Sequence, residues 1–339
     1  MDERRVSDIG EFGLIAALAA ALPAEARDGL ELGIGDDAAV WQPGAGAAVV
    51  ITTDSLVEEI HFRLDWTDWE SLGHKALAVN VSDLAAMGAA PKLAVVTLGL
   101  RGSERVGDLV ALYAGMGDVA RRYGVVIAGG DIVRSPHGLA LHITALGELT
   151  GPLRLTRSGA RPGDIIAVTG TLGASAAGLQ LLLDNDEKQG AMTADLLLAA
   201  HLRPEPRVPL GAILREQGAS SAMDLSDGLL GDLPKILTAS NVAAEIDLRA
   251  IPVAAAVRAL YPEQWLAFAT RGGEDYELLF TASPDTWPAL AEALSVAGGQ
   301  VAAIGRILPP DDGPALSVIG LDGARRAEAP GAFDHFAAG

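Results

Sequence analysis

The chain predicts an α/β or α+β fold in two domains. Three observations carry this: its 339-residue length, its alternation of strand-like and helix-like segments, and a change of signal around Gly151-Pro152. A chain this long can bury two ordinary cores. Half of its residues are hydrophobic but only 4% are aromatic, so those cores are aliphatic. Ala47 to Thr52 reads as a short strand ending at Thr53-Asp54. Ser71 is placed to cap a helix that runs to about Met87, where Gly88 can stop it. Lys92 to Leu100 reads as a buried strand, and Ser103 as the cap of a helix ending near Tyr123-Gly124. Val125 to Ala128 is a strand that stops at Gly129-Gly130-Asp131, and Leu139 to Leu149 is a further strand. Beyond the change of signal, the turn Arg161-Pro162-Gly163-Asp164 feeds the strand Ile165 to Thr169 and then a Gly- and Ala-rich helix. Tyr276 to Thr281 is another strand, and a terminal helix or loop follows Pro330. The boundary falls between residues 148 and 155, giving domains 1–150 and 151–339.

Charge narrows the partners. The net charge is −19, from 44 acidic and 25 basic side chains, which repels nucleic acid and anionic membrane. With no cysteine there is no disulfide, thiolate zinc site or Cys nucleophile, which is compatible with a reducing cytoplasm. Arg4 and Arg5 precede the apolar run Leu14 to Leu22, as in an export signal. Asp2, Glu3, Asp8 and Glu11 contradict that reading, so the run is expected as an amphipathic helix of a cytoplasmic protein. No apolar run approaches the ~20 residues of a membrane span.

The informative residues are acids set among glycine, hydroxyl and apolar neighbours. On the helix from Ser71, Leu72, Ala76, Val79, Asp83 and Met87 fall within an arc of about 80°, which puts Asp83 inside the apolar stripe. A carboxylate there needs a cation, a hydrogen-bond set or a proton. An internal ion pair and a metal site both meet that need. Similar acids stand in Gly35-Asp36-Asp37, Thr52-Thr53-Asp54, Gly130-Asp131, Asp224-Leu225-Ser226-Asp227-Gly228 and Gly272-Gly273-Glu274-Asp275. Each alone is compatible with a turn or a helix cap. Together, with few Lys or Arg nearby, they point to Mg²⁺, which takes carboxylate, water and phosphate oxygens. None of the four lysines sits in a Gly-x-x-x-x-Gly-Lys-Ser/Thr loop, so a P-loop is excluded. Gly170-Thr171-Leu172-Gly173 at a helix start could bind an anion, a weak signal by itself.

Taken in order, these segments resemble the thiamine-monophosphate kinase family, within the superfamily of aminoimidazole ribonucleotide synthetase. The resemblance is carried by Gly33-Ile34-Gly35-Asp36-Asp37, Thr52-Thr53-Asp54-Ser55-Leu56-Val57 with His61-Phe62, Lys75 to Gly88, Gly129-Gly130-Asp131 and Leu155 to Ala160. It continues through His201-Leu202-Arg203-Pro204, Asp224 to Leu229, Gly272 to Leu278 and Phe333-Asp334-His335-Phe336, and so covers nearly the whole chain. It implies a two-domain aminoimidazole ribonucleotide synthetase-like fold, with a sheet-rich N-terminal dimerisation domain and an α+β C-terminal domain. It implies several Mg²⁺ ions held by Asp37, Thr52, Thr53, Asp54, Asp83, Asp131, Asp224 and Asp227. ATP would be contacted by Gly130, Asp131, Arg157 and Ser226, and thiamine monophosphate by His61, Glu274 and Phe333. A homodimer, with no nucleic-acid or membrane partner, is implied as well. His201 and His335 are read as structural. Pro234 in the helix after Asp227, and His74, depart from the family pattern; Pro234 removes a helix hydrogen bond unless the helix restarts near Asp232.

The chemistry fits the residue types. A phosphate monoester is mostly dianionic at neutral pH, so the acceptor's own oxygen is the nucleophile and no general base is expected. Clustered Mg²⁺ would offset the repulsion between two anionic substrates, and an acidic, aromatic wall of Glu274 and Phe333 suits a cationic thiazolium. Two rivals stand: another ATP-dependent enzyme of the superfamily, and a non-catalytic cation-binding protein using the same aspartates.

Overall fold

The computed structural model describes residues 2–23, 29–35, 38–184, 192–310 and 315–328. Asp37, Phe333, His335 and the segment after Pro330 therefore lie outside the described residues. The chain divides into two compact units, one formed by Met1–Leu84 and Ala89–Pro152, the other by Ala85–Gly88 and Leu153–Gly339.

The first unit opens with α1 (Val6–Ala21), which buries Leu14 and Leu18, one turn apart, and bends at Gly10, where φ is +67°. Two short strands, β1 (Leu30–Leu32) and β2 (Val40–Trp41), pair with each other. The main sheet is built from β3 (Ala48–Val57), β4 (Ala90–Leu100), β5 (Val126–Arg134) and β6 (Ala140–Leu149), in the order β3-β6-β4-β5. Its helices are α2 (Trp69–Ala86), between β3 and β4, and α3 (Val106–Tyr123), between β4 and β5. The β4–α3–β5 crossover joins the sheet's one parallel pair, as a helical connection must.

Helices α2 and α3 touch backbone to backbone because glycine stands at the crossing. A Cβ on Gly73 would lie 1.8 Å from the Leu112 carbonyl oxygen, and one on Gly115 would lie 1.9 Å from that of Glu70. Leu84 reaches the Gly147 position of β6, which sets α2 over the face carrying Ile143, Ala145, Val96 and Leu98, all buried. The opposite face is open and partly apolar: Val49, Ile51, Val57 and Val133 are exposed, Ile51 by 66%.

The second unit contains β7 (Ile165–Thr169), α4 (Ala174–Asp184), α5 (Met192–Leu202), α6 (Val208–Gln217), β8 (Ser221–Asp224), α7 (Leu229–Ser240) and β9 (Ala243–Asp247). It continues with α8 (Ala255–Leu260), α9 (Trp265–Arg271), β10 (Leu278–Ala282), α10 (Trp287–Val296), β11 (Val301–Leu308), β12 (Leu316–Ile319) and β13 (Arg325–Ala327). Seven strands form one mixed sheet, β13-β12-β9-β11-β7-β10-β8, in which only β12 and β9 run parallel. Both faces are covered. Ile166 and Val168 join a core with Leu230, Leu233 and Ile236, while Ala167 on the other face meets Leu214, Phe280 and Leu290. That burial explains why the β7 and β10 segments read as unbroken apolar runs.

Several boundaries differ from the sequence expectation. The α2 cap is Asp68, whose Oδ1 accepts the Ser71 N–H at 2.8 Å; Ser71 lies inside the helix. Ser103 does not cap α3: Arg105 holds the cap position with no side-chain hydrogen bond, and Gly124 ends the helix at φ +71°. The β3 and β5 strands run on past Asp54 and Asp131, so both acids are mid-strand rather than at strand ends. Helix α7 does not restart at Asp232 but runs unbroken from Leu229 through Pro234. No described helix is long and apolar enough to cross a membrane.

Candidate functional site

The first-unit site grows from strand alternation. Thr52 and Asp54 are two apart on β3 and face α2, while Thr53 between them faces the open side. Thr53 spends its hydroxyl on the sheet, donating to the Ile143 carbonyl at 3.0 Å and accepting from Thr144 Oγ1 at 3.2 Å. Asp83, on the α2 stripe, comes down onto the same spot. The Thr52 hydroxyl donates to Asp83 Oδ2. Asp54 is pushed up to about 6, first by burial, then by the charge of Asp83 and the hydrogen bond they share. Two carboxylates and a hydroxyl thus meet, and among the described residues neither acid has a basic side chain within ion-pair distance.

Asp131 is not with them. The register runs Asp54–Ile143–Val96–Gly130 across the sheet, whereas Asp131 lies in the row Ser55–His142–Thr97–Asp131. Residues directly opposite one another share a face, so Asp131 is on the open side, three strands or about 14 Å from Asp54. It is exposed, and its Oδ1 accepts the Ile132 N–H at 2.9 Å. Gly130 is there for close approach: a Cβ would stand 1.8 Å from the Val96 carbonyl oxygen. His61 sits in the turn after β3, its Nδ1 accepting the Val57 N–H at 3.0 Å.

In the second unit the two glycine-flanked acidic motifs lie side by side beyond the β8–β10 pairing. Leu225 N–H donates to Glu277 O, Tyr276 N–H to Leu225 O and Glu274 N–H to Ser226 O, at 2.8, 3.0 and 2.9 Å. Gly273 and Gly228 make this possible, since a Cβ on either would lie 2.4 and 2.7 Å from the Ser226 and Gly272 carbonyls. Asp224 is buried at the end of β8, and Ser226 and Asp227 are half-buried on the loop that follows. Arg157 is exposed on the approach to β7, its carbonyl accepting from Ser240 Oγ at 3.1 Å.

Three acids of these motifs are committed to the protein itself. Asp275, half-buried, caps α4 by accepting Gly173 N–H at 2.7 Å and Ser175 N–H at 3.1 Å. Burial pushes it up to about 7 despite those hydrogen bonds. Glu277 is gripped by both Arg207 nitrogens, at 2.9 and 2.6 Å, and by the Thr169 hydroxyl at 2.6 Å. Asp227 receives Lys235 Nζ at 2.6 Å, and the same ammonium reaches the buried Asp232 at 2.7 Å. His201 places Nδ1 3.4 Å from Glu274 Oε2. The sequence reading gives Lys235 no role and takes His201 as structural. The Asp232–Lys235 spacing of three on one helix was the available signal for the first; nothing in sequence ties His201 to Glu274, 73 positions later.

Among the described residues no group of three or more His, Asp or Glu side chains stands close enough to hold one ion. The donor chemistry at Asp54, Asp83 and Thr52 nevertheless fits a hard divalent cation: all donors are oxygens, and among the described residues the two close carboxylates have no ion-pair partner.

This fold is that of the AIR synthase related proteins, whose N-terminal domain model matches residues 35–149 and whose C-terminal domain model matches residues 161–314. Curated relatives named thiamine-monophosphate kinase include one from Escherichia coli K12, 43% identical over 299 residues (88% of this chain, 90% of that protein). Another, from Bacillus subtilis, is 37% identical over 279 residues (82% and 86%). The crystal structure of thiamine-monophosphate kinase from Stenotrophomonas maltophilia superposes with a TM-score of 0.82 at 39% identity, covering 93% of this chain and 97% of that one. AaThiL complexed with AMPPCP and TMP gives 0.76 at 31% identity, covering 98% and 99%. The chain belongs to the thiamine-monophosphate kinase family.

Proposed function

We propose that this chain transfers the γ-phosphoryl group of ATP to the phosphate of thiamine monophosphate, giving thiamine diphosphate by direct in-line transfer. Besides family membership, the observation that carries this is the Asp54–Asp83 pair, two carboxylates held together without a basic partner among the described residues. Asp54, Asp83 and Thr52 would hold one Mg²⁺ in the first unit, Asp37, Thr53 and Asp131 would serve further ions, and Asp224 and Asp227 would hold Mg²⁺ in the second. Bound Mg²⁺ would neutralise phosphate oxygens and align donor with acceptor. Gly130, Asp131, Arg157 and Ser226 would contact ATP; His61, Glu274 and Phe333 would contact the acceptor, Glu274 facing its thiazolium cation. No side chain need abstract a proton, because the acceptor phosphate is already the nucleophile.

The working form we propose is a cytoplasmic homodimer made through the N-terminal domain, residues 1–150, with residues 151–339 as the second domain. Its support is the open sheet face with Ile51, Val49, Val57 and Val133 exposed, an apolar surface that a second copy would cover. Asp131 lies on that face and on the edge strand β5, while Asp54 lies on the other edge strand.

The test is a coupled ADP-release assay run in parallel with thiamine monophosphate, with thiamine and without acceptor. ADP is expected only in the first. Asp83→Asn is expected to lower turnover at least ~100-fold with the fold intact. Release of ADP with none of the acceptors, or near-normal kinetics in the variant, overturns the reading.

A further inference from the structure

Lys235 stands two turns into α7, behind the loop that carries Asp224 and Asp227. Its Nζ donates to Asp227 Oδ2 at 2.6 Å and to Asp232 Oδ1 at 2.7 Å. The second oxygen of Asp232 accepts the Asp227 N–H at 2.9 Å. Asp232, wholly buried, thus holds Asp227 twice, directly by its backbone and through the ammonium by its carboxylate. The Lys235 side chain is only one-third exposed. This is the kind of position a divalent ion would take: a cation between two carboxylate oxygens, one from the loop and one from α7. The distances are those of a charge-assisted N–H···O contact, longer than the ~2.1 Å of a Mg–O bond.

We propose that Lys235 is a built-in cation that fills the place of a metal ion at Asp227, so that a divalent ion binds this carboxylate only by displacing the ammonium. The inference rests on the reading that Asp227 lies among metal ligands, and adds what this chain does there. An ammonium neutralises one negative charge, cannot be removed by a chelator, and uses two of its three N–H groups on Asp227 and Asp232. The third N–H remains for a phosphate oxygen. In the nucleotide-free chain the Asp227 charge is therefore already neutralised, and a divalent ion enters this corner only at the ammonium's expense.

Titration calorimetry with MgCl₂ alone, on the full-length nucleotide-free protein, tests this. Wild type and Asp227→Asn should give the same isotherm. Lys235→Met should gain a binding event or tighten one by at least about tenfold, the effect of losing one like charge a few ångströms from the ion. Adding Asp227→Asn to Lys235→Met should remove that gain. Because Lys235→Met strands a buried carboxylate, Lys235→Met/Asp232→Asn is measured as well, with the melting temperature as the check on folding. Isotherms of wild type and both Lys235 variants that coincide while wild type takes up Mg²⁺ overturn the inference and leave the metal reading standing. So does a wild-type isotherm already weakened by Asp227→Asn. No uptake by any of the proteins overturns both.

Discussion

His201 Nδ1 lies 3.4 Å from Glu274 Oε2 and 3.1 Å from Ser175 Oγ, inside a site where the histidine is almost wholly enclosed. An ionised carboxylate only accepts, so Nδ1 donates towards Glu274 in the tautomer that carries its proton there, whereas in the other tautomer it accepts from the Ser175 hydroxyl. His201 then fixes where the Glu274 charge points. Asn at this position can put an amide N–H where Nδ1 stands, while Gln reaches the Nε2 position instead. His201→Gln is expected to raise the KM for the thiamine phosphate about tenfold, the loss of one charge-assisted hydrogen bond, with kcat changed much less. His201→Asn should stay near wild type. Steady-state kinetics with each substrate varied in turn checks the split.

Asp54 links stability to pH. Its carboxyl is held near 6 against an ordinary 3.8, so across that window the folded chain binds more protons than the unfolded one. Stability from this group is therefore greatest below pH 4 and is lost as pH rises towards 6. In EDTA the melting temperature of Asp54→Asn should lack this contribution and exceed that of wild type above pH 6. Mg²⁺ should narrow the gap by favouring the ionised form in wild type alone. Thermal melts from pH 4 to 8, with and without the metal, decide it.

Arg207 closes a bidentate pair on Glu277, whose side chain is 4% exposed, while the arginine keeps one edge in solvent. Arg207→Met leaves a carboxylate enclosed with only the Thr169 hydroxyl, and is expected to destabilise the second unit by about 3 kcal/mol. Arg207→Met/Glu277→Met should recover part of that loss, because the uncompensated charge is gone. A melting-temperature cycle over the four proteins measures the coupling.

What was legible in sequence tracks how local each cause is. The Asp83 position followed from the 100° spacing of α2, and the β7 strand from its apolar run, because both signals sit within one element. Asp54 and Asp131 were expected at strand ends because Gly and Asp disfavour strands. The ladder overrides that preference: Asp131 pairs with Thr97, and bare Gly130 lets the strands close up. The faces were not legible at all, since whether Asp131 joins Asp54 depends on a register set by β6 and β4 between them. Asp275 reads as one of the ligand acids for the same reason: the backbone that it caps, the α4 N-terminus, is distant in the chain.

Pro234 sits inside α7, where its missing N–H leaves the Leu230 carbonyl without the usual donor four residues on. The helix nevertheless continues to Ser240, held by Leu233, Ile236 and Leu237 in the core. Tertiary packing outweighs a local cost that host–guest scales put at about 3 kcal/mol against alanine. Pro234→Ala restores the donor, and removes a ring that also restrains the unfolded chain, so the net gain is smaller, about 1–2 kcal/mol. The melting temperature should rise, and Mg²⁺ binding should be unchanged, because the substitution touches neither Lys235 nor Asp227. A fall in melting temperature would mean that α7 is shaped around the proline and that its bend, rather than its hydrogen bonds, sets the loop before it.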